Sequence, residues 1–144
     1  MRVVLDANIL VRANEKSSGL ARALLIELIS RGHIVLTSAE ILIELARALR
    51  YARVQALFRL SEEQIYEYVQ FLKSVCEIVP DDIGGNVPVR DAADAPVLRA
   101  AILGEADFIC TLDSDFYATE TTAFCSMMGI TVVDDIALMR QLRS

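Results

Sequence analysis

The chain has 144 residues, of which 54% are hydrophobic and 24% are charged. This length is typical of one domain around one hydrophobic core, so we expect a single domain over residues 1–144. No run of about 18 uncharged apolar residues is present, which argues against a membrane span, and no signal peptide is recognisable, so we expect a cytoplasmic location.

The net charge of −6 would usually argue against a polyanionic partner. However, the charges are unevenly distributed. Residues 1–60 carry nine Lys and Arg against five acids, whereas residues 61–144 carry five against fifteen. This asymmetry is consistent with a basic face beside an acidic pocket.

In chain order, apolar runs and helical periodicity predict strands and helices that alternate. Capping residues support several helix starts, among them Ser38 and the capping-box sequence Ser61-Glu62-Glu63-Gln64. The first half is predicted to contain a strand at 2–6, a connector with one helical turn at 8–16, a helix from a Ser17 or Ser18 cap to about Ile29, a strand at 34–37, a helix after Ser38, a helix at 51–60 and a helix opened by 61–64.

The second half continues the alternation. It is predicted to contain a strand at 76–79, a turn-rich loop at 80–90, a helix from an Asp94 cap to Gly104, a strand at 108–111, a helix at 119–128, a strand at 130–133 and a last helix capped by Asp134 or Asp135. Strands that alternate with helices imply parallel pairing. We therefore expect an α/β fold, a three-layer α/β/α sandwich with a mainly parallel central sheet.

Cysteine and histidine content narrows the possible chemistry. Cys76, Cys110 and Cys125 stand far apart among apolar neighbours, which is typical of reduced core cysteines. The one histidine, His33, lies between a helix end and a strand. Neither a zinc site nor a Ser-His-Asp triad is therefore indicated.

The most informative feature is a set of four carboxylates, three of which fall at a strand end or a helix start, with Glu44 in the middle of a helix: Asp6, Glu44, Asp94 and Asp113. Ligands bind at this edge of an open α/β sheet, and like charges gathered there need a cation. An all-oxygen shell suits Mg²⁺ or Mn²⁺. The sequence therefore predicts a divalent-metal site.

Each of these acids also has an ordinary structural explanation. Asp6 is the least easily explained, since it follows a buried strand, although Asp can also begin a turn. Glu44 is equally well read as a partly exposed helical residue, and Asp94 as an N-cap. Asp113 and Asp115 are compatible with a simple Asp-Ser-Asp turn.

Taken together, four segments resemble the PIN-domain proteins, and among them the VapC-type toxin ribonucleases. They are Leu5-Asp6-Ala7-Asn8, Glu44-Leu45, the stretch from Arg90 to Ala101 around Asp94, and the stretch from Ala106 to Phe116, which contains Thr111-Leu112-Asp113-Ser114-Asp115. The resemblance extends over essentially the whole chain. It depends on the order and spacing of the four segments, because each alone is loose.

The resemblance implies a metal-dependent endoribonuclease that leaves a 5′-phosphate and a 3′-hydroxyl. Its implied catalytic and metal-binding residues are Asp6, Glu44, Asp94 and Asp113, with Asp115 as a further metal ligand and Asn8 and Thr111 as supporting residues. It also implies Mg²⁺ or Mn²⁺ as cofactor, an RNA substrate, an antitoxin partner and a homodimer. Helix 61–75, with Tyr66, Tyr68 and Phe71, is a candidate dimer surface, although core packing is the better explanation for Tyr68.

Arg47, Arg50 and Arg53 follow Glu44 at near-helical spacing. They are candidates for RNA-phosphate contacts, and a solvated helix face is an equally good explanation. Asp107 and Asp135 are taken as acids outside the site.

Three other functions compete. A phosphoacceptor receiver domain needs a lysine after a late strand, and neither Lys16 nor Lys73 stands there. A haloacid-dehalogenase-like phosphatase has Asp-x-Asp after the first strand, where this chain has Asp6 and Asn8. A catalytically inactive PIN-like module that binds RNA or protein would be expected to lack the acids.

Overall fold

The computed structural model describes residues 1–80 and 95–144. Within them, five parallel strands form one sheet in the order β3-β2-β1-β4-β5. The strands are β1 (Arg2–Leu5), β2 (Ile34–Thr37), β3 (Glu77–Ile78), β4 (Phe108–Cys110) and β5 (Thr131–Val133). Helices flank the sheet, so the predicted three-layer α/β/α sandwich is confirmed.

The helices follow the predicted alternation. They are α1 (Ala7–Arg12), α2 (Leu20–Ser30), α3 (Ala39–Ala48), α4 (Ala52–Phe58), α5 (Glu62–Val75), α6 (Ala95–Leu103), α7 (Thr119–Met127) and α8 (Asp135–Arg143), with a short 3₁₀ helix at Ser114–Tyr117. The chain moves toward one edge of the sheet through β3 and toward the other edge afterwards. Since such crossovers are right-handed, α6 and α7 lie on the opposite face from α2 and α5.

Strand β1 is the centre of the sheet and of the core. Val3, Val4 and Leu5 are fully buried, because β2 and β4 pair with the two edges of β1 and helices cover its faces. The strand order reverses between β1 and β4. In an open α/β sheet, the crevice at the carboxyl ends of two such strands is the usual ligand site.

Helix starts agree with the capping signals at three positions, Ser38, Ser61 and Asp134, and differ at one. The Ser38 Oγ accepts from the Ile41 N–H, and Ser61 with Gln64 forms the full capping box. The predicted cap of α2 at Ser17 or Ser18 is wrong, since Gly19 is the N-cap. The Ser17 Oγ instead accepts the Gly19 N–H at 3.1 Å and so stabilises the turn before the helix.

The candidate dimer surface on α5 divides into core and exposed residues. Tyr68 is buried, and its hydroxyl donates to the Leu10 carbonyl at 2.6 Å, so it belongs to the core. Tyr66 and Phe71 are exposed. Across the described residues, none of the helices is both long enough and apolar enough to cross a membrane.

Candidate active site

Asp6 lies at the carboxyl end of β1, where it is the N-cap of α1. Only 8% of the residue is exposed. Its Oδ1 accepts from the Ala7 N–H at 2.6 Å, and its Oδ2 accepts from the Thr111 hydroxyl at 2.7 Å and from the Asn8 amide at 3.3 Å. A buried carboxylate at this crevice is therefore held in one orientation.

Thr111 connects the ends of β1 and β4. Its hydroxyl donates to Asp6 and accepts the Asp113 N–H at 3.0 Å. The Asn8 side chain spans the same gap, since its Oδ1 accepts from the Leu112 N–H at 3.3 Å. Thr111 and Asn8 thus both contact Asp6, and their supporting roles stay a prediction.

Asp113 follows β4 and caps the 3₁₀ helix. Its Oδ1 accepts from the Asp115 N–H at 3.0 Å. The structure thus contains the turn that was the ordinary explanation for Asp113. The same residue lines the cavity at the sheet edge together with Asp6, so capping and a metal role are compatible.

Glu44 projects from the middle of α3 and is exposed, away from the buried stripe of that helix. Its Oε2 lies 3.8 Å from an Arg47 Nη. Glu44 nevertheless lines the same cavity as Asp6 and Asp113. A carboxylate on the wall of a cavity is accessible to a ligand in it.

The pKa of Asp6 is raised above its usual 3.8. Burial is the largest cause, and the negative charges of Asp113 and Glu44 act in the same direction, against the hydrogen bonds from Thr111 and Ala7. The charges of Asp113 and Glu44 are therefore close enough to Asp6 to oppose its ionisation. A bound cation would reverse this effect by favouring the ionised carboxylates.

The cavity has a volume of about 870 Å³ and opens at the carboxyl edge of the sheet. Its acidic lining residues are Asp6, Glu40, Glu44, Asp113 and Asp135, and its basic ones are Arg12 and Arg53. Apolar side chains such as Leu20, Leu57 and Phe58 complete the wall. The cavity thus combines anionic, cationic and apolar surfaces.

The oxygen-only donors of this cavity fit Mg²⁺ or Mn²⁺ better than a softer metal. Within residues 1–80 and 95–144, no group of three or more Asp, Glu, His or Cys side chains is arranged to hold a metal ion. Asp94 lies outside the described residues. The full ligand set of Asp6, Glu44, Asp94, Asp113 and Asp115 therefore stays a prediction.

The three candidate RNA-binding arginines differ in their surroundings. Arg47 pairs with Glu44, and Arg50 makes close contacts with Glu62, with an N–O distance of 2.5 Å. Arg53 lines the cavity and has no ion-pair partner in the described parts of the chain. Of the three, Arg53 is best placed to meet a phosphate at the site.

Sequence reasoning missed three charged residues of the cavity: Arg12, Glu40 and Asp135. Arg12 lies in the last turn of α1, and Glu40 lies one turn before Glu44 and pairs with Arg99 at 3.0 Å. Asp135, taken from the sequence as an acid outside the site, also lines the cavity. Its position after β5 is the strand-end signal that singled out Asp6 and Asp113.

Comparison with known proteins agrees with this architecture. Residues 2–115 match the PIN domain family, and the chain belongs to that family. No curated protein sequence matches the chain.

Two solved structures share the fold. VapBC2 from Rickettsia felis, bound to a DNA fragment from its promoter, has a TM-score of 0.59 and 16% identity, covering 93% of this chain and 98% of that one. FitAcB from Neisseria gonorrhoeae has a TM-score of 0.54 and 14% identity, covering 92% of this chain and 97% of that one. At these identities the likeness concerns the fold.

Proposed function

We propose that this PIN-domain protein is a metal-dependent endoribonuclease that hydrolyses RNA phosphodiester bonds with Mg²⁺ or Mn²⁺. The observation that carries the proposal is the buried carboxylate of Asp6, which faces the charges of Asp113 and Glu44 at the crevice between β1 and β4. Helix capping explains Asp6 and Asp113 individually, but it gives no reason for placing the charge of Glu44 near them as well. A divalent cation, together with the predicted ligand Asp94, gives one.

When bound, the cation would activate a water molecule and stabilise the charge that develops on the phosphate. The protein's part is to hold the ligands in place. Thr111 and Asn8 orient Asp6, and the bond from the Asp115 N–H orients Asp113. Glu44 completes the acidic wall from α3.

This chemistry needs no side-chain nucleophile. His33 does not line the cavity, and its Nδ1 lies 2.8 Å from the N-terminal amine. Burial raises the pKa of the Cys76 thiol to about 12 and also raises that of Cys110. Thiols in this state are poor nucleophiles near neutral pH.

Arg12 and Arg53 are the residues proposed to contact RNA phosphates beside the cut. Both line the cavity, and each is exposed. Tyr51, also exposed and in the lining, offers an aromatic face to an unpaired base. Arg47 and Arg50 would have to exchange their present carboxylate partners for phosphate.

The resemblance to VapC-type toxins and the two structural neighbours, VapBC2 and FitAcB, support the further proposal that the chain is the toxin of a toxin-antitoxin pair. An antitoxin protein would then be its partner, and a homodimer its assembly. The apolar part of the cavity wall is a suitable surface for such a partner. The free cysteines suit the reducing cytoplasm in which such a toxin would act.

Induced expression tests the toxin assignment. Wild type should arrest bacterial growth, whereas Asp6→Asn, produced at the same level, should not. Growth arrest by both proteins would show that any toxicity is independent of the acidic site.

A binding module without catalysis is the competing function, because the cationic and apolar surfaces of the cavity would also serve it. The two functions are separated by incubating purified protein with single-stranded RNA in Mg²⁺, in Mn²⁺ and in chelator. A nuclease gives new RNA ends with either metal and none in chelator. RNA that is bound but remains intact under all conditions would favour the binding module.

A further inference from the structure

Asp135 is a further acid at the carboxyl edge of the sheet, and it follows the strand next to the one that precedes Asp113. Asp6 follows β1, and Asp113 follows β4 by three residues. The next strand in the sheet, β5, is followed by Asp134 and then by Asp135, the first residue of α8. Asp135 lines the same cavity as Asp6 and Asp113.

The Asp135 side chain is buried to the same degree as that of Asp6, with 8% of the residue exposed. Its Oδ1 accepts from the Ile136 N–H at 3.0 Å. Among the described residues, no donor reaches its Oδ2, and no Lys, Arg or His forms an ion pair with it. One oxygen of a nearly buried carboxylate thus has no protein partner.

The neighbouring Asp134 shows that this arrangement is not needed to begin α8. Asp134 is the N-cap, and its Oδ1 accepts from the Ala137 N–H at 2.7 Å. The helix therefore already has its cap. An acid in the first turn interacts favourably with the helix dipole, but this interaction does not require burial.

Other carboxylates lie near the end of β4 together with Asp135. Burial is the largest cause of the raised pKa of the Cys110 thiol at the end of β4, and the charges of Asp135, Asp134 and Asp6 raise it further. A buried carboxylate next to other carboxylates is costly unless a cation compensates it. The cavity is where such a cation can be held.

We propose that Asp135 is a further carboxylate of the acidic site and supplies an oxygen ligand to a divalent cation on the β4–β5 side of the cavity. Mg²⁺ keeps several water ligands and needs only one or two carboxylates, so a close group of three is not required. The inference rests on the proposed metal-dependent function, because it concerns the cation of that same site.

Binding of Mn²⁺ to the RNA-free protein, measured by calorimetry, tests this inference without measuring cleavage. Asp135→Asn keeps an oxygen for the Ile136 N–H and removes the charge. We expect its Mn²⁺ affinity to fall about tenfold or more, as for other residues that support a metal site. Asp134→Asn is the matched control, and it should bind Mn²⁺ like wild type.

Thermal melting separates a ligand from a residue that only stabilises α8. For a ligand, the rise in melting temperature on adding Mn²⁺ should be smaller in Asp135→Asn than in wild type and in Asp134→Asn. The inference is overturned if Asp135→Asn binds Mn²⁺ with wild-type affinity and Mn²⁺ raises its melting temperature as much as that of wild type, whatever its melting temperature in chelator. This result would leave the nuclease proposal standing. A wild-type protein that binds no Mn²⁺ overturns both.

Discussion

The Thr111 hydroxyl donates a 2.7 Å hydrogen bond to the Asp6 Oδ2 and thereby joins the ends of β4 and β1. Thr111 is fully buried, so water cannot replace the bond once the hydroxyl is removed. Thr111→Val should lower the free energy of unfolding by about 1–3 kcal/mol, because the buried partners of the hydroxyl lose a hydrogen bond. Denaturant unfolding measures this change.

Thr111→Ser is the control, because it keeps the hydroxyl at the cost of one methyl group. RNA cleavage should persist in Thr111→Ser and be strongly reduced in Thr111→Val, since Asp6 loses its orienting donor. Equal cleavage by the two variants would mean that the Thr111 bond does not position Asp6 for the reaction.

Asp113→Asn should abolish cleavage and yet stabilise the metal-free protein. An asparagine oxygen still accepts the Asp115 N–H, while the charge that opposes ionisation of Asp6 is removed. Relief of about 1 kcal/mol would raise the melting temperature in chelator by a few degrees. Mg²⁺ should then stabilise wild type by mass action and Asp113→Asn much less.

Asp107→Asn is the control for this comparison. Asp107 lies at the opposite end of β4, where its side chain accepts from the Arg2 N–H. Mg²⁺ should raise the melting temperature of Asp107→Asn as much as that of wild type. If Asp113→Asn melts well below wild type in chelator, Asp113 is chiefly a structural turn residue.

RNA binding should depend more on Arg53 than on Arg50. Replacing Arg53 with Ala in a protein that also carries Asp6→Asn, to prevent cleavage, should weaken binding and lower the salt slope by about 0.7 for one contact with a single strand. Arg50→Ala in the same background should change little, since Arg50 already pairs with Glu62. Binding isotherms at several salt concentrations measure both effects, and the reverse ranking would contradict the assignment.

The pH dependence of stability provides a test of Asp6 without RNA. Because the folded-state pKa of Asp6 is raised above 3.8, its ionisation destabilises the fold at neutral pH in the absence of metal. This cost is relieved as the pH falls through the raised pKa and grows as the pH rises. In chelator, wild type should therefore gain stability relative to Asp6→Asn as the pH is lowered.

Other carboxylates change stability with pH in the opposite direction. Hydrogen bonding from Arg50, for example, lowers the pKa of Glu62, and the positive charge of Arg50 acts in the same direction. The quantity to follow is therefore the difference in unfolding free energy between wild type and Asp6→Asn across a pH series. A difference that does not vary with pH would show that Asp6 has no raised pKa.

Most of the fold was predictable because its signals are local. The buried run Val3-Val4-Leu5 and the Ser38 and Ser61 caps each predict one element from a few neighbouring residues. Alternation of strands and helices then implies a parallel sheet. The α2 start was missed because Ser17 and Gly19 both suit this position, and only the three-dimensional turn decides between them.

The site was less predictable, because its geometry depends on contacts between distant segments. Asp6 and Asp113 were identified from strand ends, and both line the cavity. Asp135 was passed over because a second Asp beside a helix cap has an ordinary explanation in sequence. Its burial and its place in the cavity depend on how β5 packs beside β4, which the sequence does not show.

Cleavage of single-stranded RNA by wild type and by Asp6→Asn tests the central claim most directly. Both proteins should be purified identically and assayed in Mg²⁺, in Mn²⁺ and in chelator, with Asp107→Asn as the matched control. The account predicts metal-dependent cleavage by wild type and Asp107→Asn, and none by Asp6→Asn. Cleavage by Asp6→Asn at the wild-type rate would contradict the assignment of the acidic site.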